Sequence, residues 1–98
     1  MAKYHLTNKA VEDLNNIWLY TFDNWSEKQA DSYYNDLVAA FQNIAEKPVS
    51  LDREYPDIRQ GLYAHHCRKH LVFYQLIENE EVEIIRILHE RMDIETKF

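Results

Sequence analysis

Apolar residues repeat with three different spacings along the chain, and each spacing predicts an element. Residues 2–6 alternate Tyr4 and Leu6 against Lys3 and His5, the two-residue period of a short half-buried strand. Thr7 or Asn8 then offers a capping oxygen, and the period lengthens. Val11, Leu14, Ile17, Trp18, Phe22 and Trp25 fall three or four apart, so they form one stripe of a helix with Glu12, Asp13, Asn16 and Asp23 largely opposite.

Ser26-Glu27-Lys28-Gln29 has the spacing of a capping box and predicts a second helix start. Its apolar positions are Ala30, Tyr33, Tyr34, Leu37, Phe41, Ile44 and Ala45. Pro48 ends it, because proline has no amide hydrogen and restricts Lys47 before it. Two long helices so closely joined predict an antiparallel hairpin.

Residues 49–61 lack a clear period and end at Gly61, the only glycine, so an ordered loop is expected there. LYAHHC, HLVFYQLI and EVEIIRIL follow, separated by Arg68-Lys69 and by Glu78-Asn79-Glu80, and predict three antiparallel strands. The order is β-α-α-β-β-β within one domain over residues 1–98. Since a helical hairpin and a bare sheet each carry an apolar face, the predicted fold is α+β, with the hairpin packed on one face of an antiparallel sheet. The first strand is expected beside the C-terminal strands.

Composition narrows the class. The chain has 98 residues, 46% of them hydrophobic, with seven tyrosines, as expected of one folded domain with a modest core. Mean hydropathy is -0.59, and no apolar run suits a signal peptide or a membrane span, so a cytoplasmic protein without membrane contact is expected. Cys67 is the sole cysteine, which suits a reducing compartment.

Charge is polarised as well as negative. Of the net -6, residues 8–57 hold four Lys/Arg against ten Asp/Glu, whereas residues 59–77 hold Arg59, Arg68, Lys69, three histidines and no acid. This disfavours general coating of nucleic acid, yet leaves one face able to meet a polyanion or an acidic partner.

The chemistry-bearing residues lie in the strand half: His65, His66, Arg68, Lys69, His70, Tyr74, Arg86, His89 and Arg91. A histidine beside a cation can move a proton while the cation holds a phosphate, as RNA cleavage requires. Alternation along the strand sends His65 and His66 to opposite faces, so they are read as surface or packing residues. No pair has a zinc-site spacing, one glycine excludes a glycine-rich phosphate loop, and Cys67 reads as a small buried filler. No metal or cofactor is expected. Trp18, Phe22, Trp25, Tyr33, Tyr34 and Phe41 are a heavy aromatic load for so small a domain, and part of it is read as a partner groove.

AVEDLNNIWLYT, WSEKQADSYYNDLVAAF, the RQGLY turn, HLVFYQL and VEIIRILHERMD, in this order after an N-terminal strand, resemble the ParE branch of the RelE/ParE toxin superfamily. The resemblance spans nearly the whole chain. It implies a bacterial type II toxin held inactive by a ParD-like antitoxin in a hetero-oligomer. It further implies a poison of DNA gyrase without nuclease activity, and no specific DNA binding by this chain.

A RelE-type nuclease, the alternative, needs a strongly basic site and a C-terminal Tyr. Here His70 stands where such relatives often place Arg, no Tyr follows His89, and -6 suits ribosomal RNA poorly. Under that alternative His89, His70, Arg68 and Arg86 would act on ribosome-bound mRNA. A non-toxic relative that keeps only its antitoxin contact is a third reading. The resemblance implies no catalytic residue for the gyrase reading.

Arg68, His70, Arg86, His89 and Arg91 are expected to face the target, with Asp93 orienting Arg91 or Arg86. An internal Arg86–Asp93 salt bridge that pins the tail stands as the equal alternative. Trp18, Phe22, Trp25 and Tyr34 are expected to anchor the antitoxin's flexible arm, which folds as it binds.

Overall fold

A computed structural model describes residues 3–78 and 81–98. Its elements are β1 (Tyr4–Leu6), α1 (Asn8–Asn24), α2 (Glu27–Glu46), β2 (Arg53–Glu54), β3 (Tyr63–Cys67), β4 (His70–Leu76), β5 (Val82–His89) and α3 (Ile94–Lys97). Ala2 of the first predicted strand, and Asn79 and Glu80 between the last two, lie outside the described residues. Among the described residues no helix is long and apolar enough to cross a membrane.

The helix starts sit where the capping residues place them. Thr7 Oγ1 accepts from the Ala10 amide at 3.1 Å and donates to the Ile85 carbonyl at 2.8 Å, so one hydroxyl caps α1 and ties it to β5. Ser26 Oγ accepts from the Gln29 amide at 3.0 Å. Beyond Pro48, Val49 takes φ +70°, a strained conformation for a β-branched residue, and its amide donates to Tyr74 Oη at 2.9 Å. The Tyr74 hydroxyl in turn donates to Asp52, whose other oxygen lies 2.9 Å from His65 Nδ1. The start of the 49–61 connection is thereby fastened to the sheet.

The sheet order is β1-β5-β4-β3-β2. The expectation that β1 joins the C-terminal strands holds, but β1 runs parallel to β5, so the sheet is mixed and not antiparallel throughout. Parallel neighbours need a long crossover, and here the crossover is the whole intervening chain. The expected loop also contributes β2, paired with Ala64 and Tyr63.

A bulge explains the nearly unbroken apolar run of β5. Tyr74 pairs with Ile84 and Phe73 with Arg86, which leaves Ile85 as the extra residue. Val82, Ile84 and Ile87 consequently pack under the helices with Leu14, Leu37, Phe41 and Ile44. Ile85 and Leu88 join Leu62, Ala64 and Phe73 in a second cluster, covered by Tyr55 and Ile58 of the connection and by Ile94 and Phe98 of the tail. Both sheet faces are therefore covered, the second by irregular chain instead of a full layer.

Candidate functional site

Arg86 sits where β1 has ended and β5 would be an open edge. Its Nε and Nη2 donate to Asp13 of α1 at 2.7 and 2.9 Å, and Nη1 donates to the Lys97 carbonyl at 2.8 Å. Asp13 Oδ2 also accepts the Ile87 amide at 3.0 Å, taking the place of a strand partner. The side chains are 16% and 13% exposed, and the hydrogen bonds that the guanidinium donates to Asp13 raise its pKa above the ordinary range. The expected partner Asp93 is therefore replaced by Asp13. Asp93 instead occupies the N-cap position of α3, with its carbonyl accepting from Thr96 Oγ1 at 3.0 Å. The tail is pinned through Arg86, by the Lys97 carbonyl.

Beside this pair opens a cleft of about 1080 Å³, bounded by the second half of α1, the start of α2, the β3–β4 turn and the end of β5. Ile17, Tyr20, Trp25, Tyr33, Ile87 and Met92 supply most of its apolar lining, and His70 and His89 meet edge to face in its floor with centroids 5.2 Å apart. The Lys69 amide donates to Tyr33 Oη at 3.1 Å, and the same phenol oxygen is hydrogen-bonded to His70 Nδ1, 2.6 Å away. His70 is held neutral. Burial, then the neighbouring His89, pushes its pKa from 6.5 down to about 4. Burial raises the Tyr33 phenol, the largest cause of its shift.

Part of the basic character read from residues 59–77 is offset in three dimensions. Arg68 Nε lies 2.7 Å from Asp36 and its guanidinium rests 4.9 Å from the Tyr33 ring centroid. His66 pairs with Glu90 at 3.0 Å and His65 with Asp52. Elements distant in sequence supply the acids. Arg68 itself occupies the turn at φ +54°, a conformation that favours glycine, and its side-chain contacts hold it there. Cys67 Sγ lies 3.7 Å from the Asp36 carbonyl, and burial raises its thiol, in keeping with a packing role. Among the described residues no group of His, Cys, Asp or Glu converges as a metal site.

The expected target-facing set is divided accordingly. Arg68, His70 and His89 line the cleft, Arg86 is engaged with Asp13, and Arg91 is exposed beyond it, with its amide donating to His89 Nδ1 at 3.1 Å. The expected antitoxin anchors are divided too. Trp25, 75% exposed, stands on the cleft rim, while Trp18, Phe22 and Tyr34 lie on the outer seam between the helices. The inward face of α1 is Ala10, Leu14, Ile17 and Thr21, so the stripe of Val11, Trp18 and Phe22 is its flank. Two residues outside the predicted site set belong to this region: Tyr33, from the apolar stripe of α2, and Asp13, predicted largely opposite the apolar stripe of α1. Asp13 falls three residues after Ala10 and four before Ile17, a spacing that marks the inward flank.

Residues 4–94 match the family described as ParE toxin of type II toxin-antitoxin system, parDE. Toxin ParE1 of Caulobacter vibrioides is 36% identical over 93 residues, covering 95% of this chain and 94% of that protein. Toxin ParE1 of Mycobacterium tuberculosis is 31% identical over 94 residues, covering 96% and 95%. Among solved structures, a chain of the chromosomal ParDE system from P. aeruginosa superposes with a TM-score of 0.74 at 18% identity, covering 91% of this chain and 96% of that one. A chain of the RelBE2 toxin-antitoxin complex from M. tuberculosis gives 0.59 at 15% identity, covering 90% and 96%. These two structural likenesses concern the fold.

Proposed function

The chain belongs to the ParE toxin family of type II toxin–antitoxin systems, and from that premise we propose that it inhibits DNA gyrase by binding and is neutralised by a ParD-like antitoxin. The observation that carries this reading is the character of the cleft. It is a concave, largely apolar trough whose histidines and arginine are hydrogen-bonded or ion-paired within the protein. A site built to cleave RNA needs cations free to meet phosphate and an imidazole that titrates near neutrality. His70, held neutral to about pH 4, is a weak base, and Arg68 is committed to Asp36. These features favour a protein ligand over the RelE-type alternative.

The trough suits an amphipathic segment of an antitoxin arm that orders as it docks, with apolar side chains between Tyr20 and Met92 and Trp25 closing over the rim. Of the four proposed antitoxin anchors, Trp25 is the one best placed for this. Lys69 in the cleft lining and Arg91 just beyond it, both outside the ion pairs formed among the described residues, are placed to meet acidic residues of the arm or of the target.

The direct test is titration calorimetry of the purified chain with the product of the adjacent antitoxin frame. Binding is expected for the wild type, with a large loss for Trp25→Ala. Unchanged affinity in Trp25→Ala, with binding mapped away from the cleft, would remove the trough as the docking site.

A further inference from the structure

We propose that His89 is a specificity-determining residue of the cleft: its Nε2–H is a fixed donor that selects an occupant bringing an acidic side chain to the cleft floor. The proposal deepens the reading of the cleft as the seat of the antitoxin arm and rests on it.

The tautomer follows from one contact. The Arg91 amide donates to His89 Nδ1 at 3.1 Å. A backbone N–H can only donate, so Nδ1 carries a lone pair and the ring holds its single proton on Nε2. The surroundings fix the ring in this state. The His89 carbonyl accepts the Met92 amide at 3.0 Å, which closes the turn after β5, and the Glu90 amide donates to the Lys69 carbonyl at 2.9 Å. The imidazole itself packs edge to face on His70. A donor held in place before the partner arrives loses little freedom when it binds.

Nε2 is the atom left over. Among the described residues it has no hydrogen-bond partner, whereas Nδ1 of the same ring and Nδ1 of His70 are both engaged. No buried side-chain nitrogen or oxygen among them lacks a partner, so Nε2 is open to solvent. An arm seated in this largely apolar cleft would strip the water from Nε2, and a buried N–H without an acceptor is costly. A wholly apolar arm is thereby disfavoured, and one that supplies an oxygen is selected. Charge narrows the choice of oxygen. In the lining, Asp13 is paired with Arg86, Arg68 with Asp36 and Glu90 with His66. Lys69 stands outside the ion pairs formed among the described residues, so the lining favours a carboxylate from Asp or Glu.

The test uses the full chain and the product of the adjacent antitoxin frame. Nitrogen-15 NMR of the free chain should show His89 protonated on Nε2 and bare on Nδ1. His89→Asn sets a carboxamide oxygen near the place of Nδ1, which keeps the acceptor for Arg91 but removes the donor. His89→Gln carries an N–H toward the place of Nε2 and gives up that acceptor. By calorimetry His89→Asn should bind the antitoxin about tenfold more weakly or worse, while His89→Gln stays within about threefold of the wild type. Melting temperature should follow the opposite order, with Gln the less stable. Alanine replacement of the arm's acids, one at a time, should reveal one acid whose loss weakens binding to the wild type but not to His89→Asn.

A proton on Nδ1, equal losses in the two variants, weaker binding by Gln than by Asn, or no coupled acid would each overturn the proposal. Trp25→Ala separates this failure from that of the cleft reading. If Trp25→Ala weakens binding and His89→Asn does not, the cleft stands and the role of His89 falls. If all three variants bind as the wild type does, both fall.

Discussion

Replacing Asp13 by Ala removes one carboxylate that serves two purposes, and the consequence follows from its geometry. Arg86, with a side chain only 16% exposed, would lose both hydrogen bonds to its counter-ion, and the Ile87 amide at the strand edge would lose its acceptor. Stranding one partner of a buried pair costs about 3–5 kcal/mol. The orphaned amide alone is worth about 1–3 kcal/mol, but the two losses share one group and overlap. A total of about 3–5 kcal/mol is a large part of the 5–15 kcal/mol typical of such domains and corresponds to a fall in Tm of roughly 15–30 °C.

Urea and thermal melts followed by circular dichroism measure this directly. Asp13→Asn keeps one acceptor for Ile87 and should lose about half as much. Asp13→Leu with Arg86→Met, which removes both charges, should return to within about 2 kcal/mol of the wild type. A loss below about 1 kcal/mol in Asp13→Ala would place the pair among ordinary surface bridges and refute the structural reading of Arg86. The Leu/Met pair then separates the two roles considered for Arg86. Retained toxicity fits a structural arginine, and lost toxicity in a stably folded variant fits one that touches the target.

Three further outcomes are expected. Because the fold depresses the His70 pKa to about 4, the unfolded chain takes up that proton first, and the stability held by neutral His70 is lost as pH falls from 6.5 toward 4. Discounted for partial exposure, this is roughly 1–2 kcal/mol, and in His70→Gln the decline over that window should be shallower; parallel pH profiles would contradict it. At the β3–β4 turn, Arg68→Gly should be more stable than Arg68→Ala by about 1 kcal/mol, since both lose the Asp36 contact but only glycine relieves φ +54°. Equal melting of the two would show that the turn has relaxed. For the antitoxin arm, Trp25→Ala should weaken binding about 30-fold, as expected of a rim aromatic buried on docking, and a change below about threefold would deny it that role.

Local signals in the sequence account for much of the fold. Thr7, Ser26 and Pro48 mark helix ends through their own hydrogen-bonding and backbone restrictions, and β3, β4 and β5 follow from period and residue type. What remained hidden depends on partners far along the chain. The extra residue Ile85 turns an apparently two-sided apolar strand into two separate faces. Arg86 finds Asp13 across 73 positions, and nothing near either residue announces the other.

Site residues illustrate the same limit. Periodicity groups Trp18, Phe22 and Trp25 on one stripe, but it is silent on which flank α2 covers, and Trp25, past the last turn of α1, leaves the stripe for the cleft. In the basic run from Arg59 onward, Arg68, His65 and His66 meet Asp36, Asp52 and Glu90, all supplied by other segments. A charge pattern along a chain is therefore an incomplete guide to the field at a folded surface.

The proposal that this toxin acts by binding gyrase, and not by cleaving RNA, is tested most directly by one paired assay. Purified gyrase and purified ribosomes carrying mRNA are each treated with the chain, with and without its antitoxin. Loss of DNA supercoiling, reversed by antitoxin and accompanied by intact mRNA, is the predicted result. Unimpaired supercoiling with cleavage of ribosome-bound mRNA would contradict it and assign the His70–His89 cleft to catalysis.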